Sequence, residues 1–298
     1  MTTQNAAAQH GSSIDSRLGC STISFRAWSL PGALAEISGQ GFGEIDLGAL
    51  PGVCDHVPTP LPPELVDALT EQILASGLAV RLINADVAEM DDPGLDAAEM
   101  QRRLRTLVDL AGAVGTSTIM LACGRQGTEP RTELSRDIAT VARTLTAAAE
   151  FVNAAGLELL VEAPHARRLC ADLDRSEMLY ETLGDAPVGA VLDLSHVVAS
   201  GGNEVDAVRR FGDRIGHVQL RDAVLGDINR SIGRGEVDFP AAIEALAAAG
   251  YRGHYSLELE THDIEDADRP TEAGRAGRYI TSLLQGVSPA AADVDARP

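Results

Sequence analysis

A short apolar run followed by a longer amphipathic stretch recurs eight times between residue 20 and about residue 286, which constrains the fold more than any other feature of the chain. The expected strands are 20–25, 43–48, 78–84, 117–122, 157–162, 188–194, 215–220 and 254–259. The expected helices follow them at 30–39, 62–76, 96–114, 131–155, 175–184, 203–211, 239–249 and 271–286. Proline opens two of these helices, Pro62 with Pro63 and Pro240, at positions where the missing N–H has no helical partner anyway. Gly41, Gly77, Gly156 and Gly250 lie just beyond helix ends, where a left-handed residue stops the spiral. A doubly wound open sheet satisfies such alternation with about five or six strands, so eight favours closure into an α/β (β/α)8 TIM barrel.

No composition shift and no long Gly, Ser or Pro linker divides the chain. Residues 18–287 are therefore expected to form one domain between flexible tails at 1–17 and 288–298. The segments 201–203 and 222–238 are expected to be loops. The second follows a strand, and in a barrel the loops after strands build the active face, so it is a candidate substrate cover.

Charge excludes some functions. With 44 Asp and Glu against 24 basic residues the chain carries a net charge of −20, so its field opposes a polyanion and no nucleic-acid partner is expected. The basic residues are all arginine. Without a lysine there is no ε-amine for a Schiff base, which removes lysine-dependent aldolase and pyridoxal-phosphate chemistry. Cys20, Cys54, Cys123 and Cys170 are widely spaced, form no CxxC pair and are expected to be reduced thiols. The first residues lack a basic start before an apolar run, and no run of 18 apolar residues occurs anywhere. The expectation is a cytoplasmic protein with a small-molecule partner, no membrane, and a sequence compatible with a homo-oligomer.

The informative residues are polar side chains at the ends of otherwise apolar strands: Asp46, Asn84, Glu162, Asp193, Gln219 and Glu258. Closure of the barrel brings the last four, from strands five to eight, to one rim. Three carboxylates a few ångströms apart repel unless a cation or shared protons intervene. Oxygen donors, three anionic and one amide, suit a hard or borderline divalent ion: Mn²⁺ first, with Mg²⁺, Co²⁺ and Zn²⁺ as alternatives. Such a centre could chelate two neighbouring oxygens of a hydroxy-carbonyl compound and ease loss of the adjacent C–H proton.

At these segments the chain resembles the xylose-isomerase-like barrels of the sugar phosphate isomerase and epimerase superfamily. The resemblance covers roughly residues 20–286. It is carried by LLVEAPH at 159–165, VLDLSH at 191–196, IGHVQLRD at 215–222, SIGRGEVDF at 231–239 and GYRGHYSLELE at 250–260. It implies that Glu162, Asp193, Gln219 and Glu258 are the metal ligands. It also implies that Glu162 and Glu258 exchange a proton with substrate carbon through a metal-stabilised enediolate, in an isomerase or epimerase of a small keto-sugar. Most relatives have His where Gln219 stands. Gln there is similar to the hydroxypyruvate isomerase and dehydroshikimate dehydratase branches, so the alternative is a lyase that dehydrates a sugar- or cyclitol-like ketone through the same enolate. The resemblance implies that His196 touches substrate oxygen or supports the metal shell.

His217, two residues before Gln219, lies on the same strand face and is a candidate for substrate binding near the rim. His165, Asn84, Trp28 and Arg221 are further candidates to meet substrate, and His56, Arg125, Arg230 and Arg234 also follow strands. The related abasic-site endonucleases use three zinc ions and more histidines. The corresponding loop here, 227–235, has Asn229 in a histidine's place, which argues against nuclease activity.

Overall fold

The computed structural model describes residues 13–287, so of the expected tails only 13–17 lie within it and 288–298 lies outside the described residues. Within that part Ile14 packs on the core, and the Asp15 N–H donates to Thr281 Oγ1 (3.0 Å). The chain runs β1 (Leu18–Cys20), α1 (Leu30–Gly39), β2 (Glu44–Ala49), α2 (Val66–Ala75), β3 (Ala79–Ala85), α3 (Ala97–Val114), β4 (Thr118–Ala122) and α4 (Leu134–Asn153). It continues through β5 (Glu158–Glu162), α5 (Leu173–Leu183), β6 (Val188–Asp193), α6 (Leu194–Ala199), α7 (Glu204–Phe211) and β7 (Ile215–Leu220). A hairpin, β8 (Asp222–Val224) with β9 (Asp227–Arg230), precedes α8 (Phe239–Ala248), β10 (Tyr255–Leu257) and α9 (Arg269–Gly286).

Eight parallel strands run in the order β1-β10-β7-β6-β5-β4-β3-β2 and curl into a TIM barrel. Closure at the β1/β2 seam relies on close approach. The Gly48 N–H donates to Thr22 Oγ1 (2.9 Å), and a Cβ at Gly19 would stand 2.9 Å from the Glu44 carbonyl oxygen. Buried Leu, Ile, Val and Ala side chains between strands and helices form the large outer core. Within the barrel, Leu82, Met120, Leu160 and Val191 form a separate apolar plug. Leu160 fills space that Cβ atoms at Gly189 and Gly216 would occupy, 2.5 and 2.8 Å from its Cδ2.

Several boundaries differ from the sequence expectation. The first strand ends at Cys20, because Thr22–Phe25 forms a 3₁₀ turn capped by the Ser21 side chain, which accepts from the Ile23 N–H. Pro63–Leu65 forms another 3₁₀ turn before α2. The short helix α6 was not expected: Asp193 ends β6 and caps it in one residue, accepting from the Ser195 N–H (2.7 Å). Part of the expected loop 222–238 is the β8–β9 hairpin.

Candidate active site

Glu162, Asp193 and Gln219 sit on β5, β6 and β7, which are consecutive in the barrel; Asp193 is directly opposite Gln219. Glu258 follows β10, next to β7, and its N–H donates to the Leu220 carbonyl (3.0 Å). All four side chains are buried. A pocket of about 170 Å³ opens over them, walled by Asn84, Glu162, His165, His196, Arg221 and Glu258 among others. Asp193 and Gln219 are wholly buried and do not form its wall.

Several polar atoms in this cluster lack partners. Both amide atoms of Gln219 and Oε2 of Glu258 are buried without a hydrogen bond, an arrangement that costs about 1–3 kcal/mol per group unless something binds there. Burial pushes the Glu258 carboxyl well above the usual carboxylate range. Arg221 pulls it back, while Glu162 and Asp193 push it further up. Burial acts the same way on Asp193, but the Arg221 charge, His196 and the Ser195 hydrogen bonds together hold it below its ordinary value. A partnerless carboxylate oxygen and a partnerless amide oxygen beside further buried acids are donors that suit a divalent cation.

His165 and His196 stack with ring centroids 3.9 Å apart. With Glu162 they offer donor atoms all within 4.8 Å of one another, so by spacing alone this trio could hold a metal ion. The backbone decides their roles. Ala166 N–H donates to His196 Nδ1 (3.0 Å) and Arg167 N–H to His165 Nδ1 (3.3 Å), so each ring carries its proton on Nε2. His196 Nε2 lies 3.2 Å and His165 Nε2 3.9 Å from a Glu162 oxygen. The two imidazoles therefore present N–H groups to that carboxylate. Burial, with the neighbouring His196, Arg168 and Arg221, holds the pKa of His165 well below the ordinary histidine value, so it is neutral near pH 7.

Arg221, 1% exposed, threads into the cluster: its Nη2 donates to Asp193 Oδ2 (2.8 Å), Nε to Ser195 Oγ (3.1 Å) and Nη1 to Glu260 Oε2 (3.2 Å). Asn84 lines the pocket from the end of β3. His217 does not: the structure places it one side-chain layer deeper, where Nε2 bonds Asp46 Oδ2 (2.8 Å). Asp46 is likewise mid-strand on β2 rather than at its end, and both side chains are buried. Trp28 packs edge-on against Phe25, while Ile23 supplies this segment's wall residue. His56 is spent on the Trp28 carbonyl (3.0 Å) and the Cys54 thiol (3.3 Å). Arg125, Arg230 and Arg234 pair with Asp91, Asp227 and Asp263 respectively.

Four charged pocket residues escaped the sequence reading: Asp86, Arg167, Arg168 and Glu260. The two arginines after LLVEAPH and the second acid of LELE were the available signals. Arg168 is buried and bonds Asp86 Oδ2 (2.6 Å) and the Gly124 carbonyl. The hairpin covers one side: Ile228 lines the pocket, and Asn229, its amide turned to satisfy its neighbours, donates to the Glu260 carbonyl (3.1 Å) and accepts from Arg167 (3.0 Å).

Comparison with known families agrees with this fold. The family model described as xylose isomerase-like TIM barrel matches residues 34–283. The chain belongs to the xylose isomerase-like TIM barrel family. The crystal structure of 3-keto-D-glucoside 4-epimerase YcjR from E. coli superposes with a TM-score of 0.69 at 17% identity, covering 92% of this chain and 100% of that one. The IOLI protein with a bound zinc atom gives a TM-score of 0.71 at 16% identity, over 90% and 99% of the two chains. In sequence, inosose dehydratase of Geobacillus thermodenitrificans is 30% identical over 127 residues, 37% of this chain and 41% of that protein. The chain spans about a third of the length of the curated relatives it matches, 34% in one case and 28% in another. The same barrel fold is thus found in a sugar epimerase and in a protein with a bound zinc atom. Among the described residues no helix is long and apolar enough to cross a membrane.

Proposed function

We propose that this barrel is a divalent-metal-dependent isomerase or epimerase of a small keto-sugar or related hydroxy-carbonyl compound. The observation that carries it is the set of buried carboxylates from neighbouring strand ends together with the partnerless Gln219 amide, beneath a pocket of small-molecule size. Glu162, Asp193, Gln219 and Glu258 would hold the ion. When bound, it supplies positive charge opposite the oxyanion that develops as a C–H bond beside a carbonyl breaks.

The chain's own groups do the rest. Glu162 and Glu258 both reach the pocket, so one carboxylate removes a carbon-bound proton and the other, as the acid, returns it. The Nε2–H groups of His165 and His196 orient Glu162 and keep a donor within reach of a substrate oxygen. Ile23, Leu50 and Ile228 shield the reacting carbon from water.

A dehydratase is the second reading, favoured by Gln at position 219 and by the likeness to a relative named inosose dehydratase. An NMR time course in D₂O with Mn²⁺-loaded protein and a panel of ketoses, keto-inositols and hydroxypyruvate separates the two. Isomerisation or epimerisation incorporates deuterium at carbon and keeps every carbon and oxygen; dehydration loses an oxygen as water. Turnover that persists undiminished in excess chelator would overturn the metal-dependent reading.

A further inference from the structure

The Arg221 guanidinium stands where the carboxylates most need a cation. Its Nη2 is 2.8 Å from Asp193 Oδ2 and 3.3 Å from His196 Nε2, which is itself 3.2 Å from Glu162 Oε1. The group therefore borders Asp193 directly and faces Glu162 across the His196 ring. Its three donor nitrogens are not held equally. Nε and Nη1 have Ser195 Oγ and Glu260 Oε2, whereas Nη2 has Asp193 Oδ2 on one side and, on the other, an imidazole nitrogen that already carries a proton. Asp193 is similarly divided, since Ser195 N–H and O–H take Oδ1 (2.7 and 2.6 Å) and leave Oδ2 to Arg221.

We propose that Arg221 is a built-in counter-cation that neutralises the carboxylate cluster in the metal-free protein and releases Asp193 Oδ2 when a divalent ion enters. The bond to Glu260, at the pocket wall, is kept as the pivot, so one arm of the fork moves while the other stays. The idea rests on the metal-dependent reading above, and its physical basis is simple. A guanidinium bonded to Asp193, with Glu258 and Glu162 in its field, stabilises three buried acids without an ion, but the same positive charge repels an incoming dication. Arg221 thus sets metal affinity, trading some of it for a folded apo state.

The test is calorimetric titration of Mn²⁺ into chelator-stripped protein, alongside thermal melts without metal, for the parent, Arg221→Gln and Arg221→Lys. Arg221→Gln should lower the metal-free Tm by roughly 5 °C, because Asp193 is left as an unpaired buried acid. The same variant should bind Mn²⁺ about tenfold more tightly. Lysine keeps the charge but cannot bond Asp193, Ser195 and Glu260 together, so it should fall between the two in both measurements. If Arg221→Gln does not fold, Arg221→Lys carries the decision. Equal or weaker Mn²⁺ binding by a folded variant overturns the counter-cation role while leaving the metal site standing. Failure of the parent and the variants alike to take up Mn²⁺ at millimolar concentration overturns the metal-dependent reading itself.

Discussion

Asp222 shows how one side chain can organise a loop. Its Oδ1 accepts from the N–H groups of Ala223 (2.9 Å) and Val237 (3.1 Å), and its Oδ2 from those of Gly233 (2.7 Å) and Gly235 (3.0 Å). Four backbone donors on one buried carboxylate pin the segment after the hairpin to the end of β7. Asp222→Asn would turn an amide N–H toward backbone N–H groups, so a loss of about 2–3 kcal/mol is expected, seen as a lower urea midpoint and faster amide exchange over residues 231–237. Glu162→Gln and Glu258→Gln should each abolish turnover, since the amide keeps an oxygen but cannot accept the proton. Arg209→Ala, which removes an exposed pair with Asp206, should change little. Metal occupancy must be measured beside the rate, and normal turnover by either metal-loaded glutamine variant removes that residue from the mechanism. Gln219→His should still bind metal and shift preference toward Zn²⁺, because imidazole nitrogen is the softer donor. The altered reach should displace the ion slightly and reduce kcat by about a hundredfold. A folded variant that binds no metal, or one with parental kcat and unchanged metal preference, removes Gln219 from the ligand set.

At the scale of elements, helix starts in this chain are managed by side-chain oxygens. Asp96, Asp172, Asn203 and Asp238 each accept from a first-turn N–H of α3, α5, α7 and α8. Helix α4 uses a reversed device: Asp137, inside its first turns, reaches back to the N–H groups of Arg131 (2.5 Å) and Thr132 (3.1 Å) and accepts from Thr132 Oγ1 (2.6 Å). Burial pushes the Asp137 carboxyl up, but these hydrogen bonds outweigh it and hold its pKa below the ordinary value. A carboxyl with a lowered folded pKa contributes stability that is complete above its unfolded pKa near 3.9 and is lost as pH falls through the folded one. Asp137→Ala should therefore cost about 1 kcal/mol at pH 7 and progressively less below pH 4, measured by denaturant unfolding across that range. A penalty independent of pH would mean that the carboxylate charge contributes nothing. Strand ends carry the other half of this scale. Asp193 both ends β6 and caps α6, and so carries His196 round beside Glu162.

Over the whole molecule, a buried cluster of acids is a standing cost to the metal-free fold, and an ion bound only by the native state offsets it. Adding Mn²⁺ to chelator-stripped protein should raise Tm in proportion to the logarithm of free metal, with about 2.7 kcal/mol gained at a hundredfold excess over Kd. Chelator should reverse the shift, and Glu162→Gln should blunt it. A Tm indifferent to Mn²⁺ would argue that no native site exists. Eight strands, their order along the chain and the acids at the ends of β5, β6 and β10 were legible in the sequence, because apolar periodicity and interruption are local properties. Boundaries at β1 and α6 were not, since a serine or aspartate side chain can end a strand by bonding the next turn without altering hydropathy. The partners of Asp46, His217 and Arg221 were invisible for a different reason. Asp46 and His217 are 171 residues apart, and Arg221 meets Asp193 and Glu260 across 28 and 39 residues. Periodicity says which face of a strand a residue occupies, but only closure of the barrel determines what stands opposite it. The sequence by itself determined the barrel and the chemical character of its rim. The tertiary structure decided which acids have partners, which nitrogen of His196 carries the proton, and that a guanidinium pairs with Asp193, because each depends on contacts between segments about 30 residues or more apart in the chain.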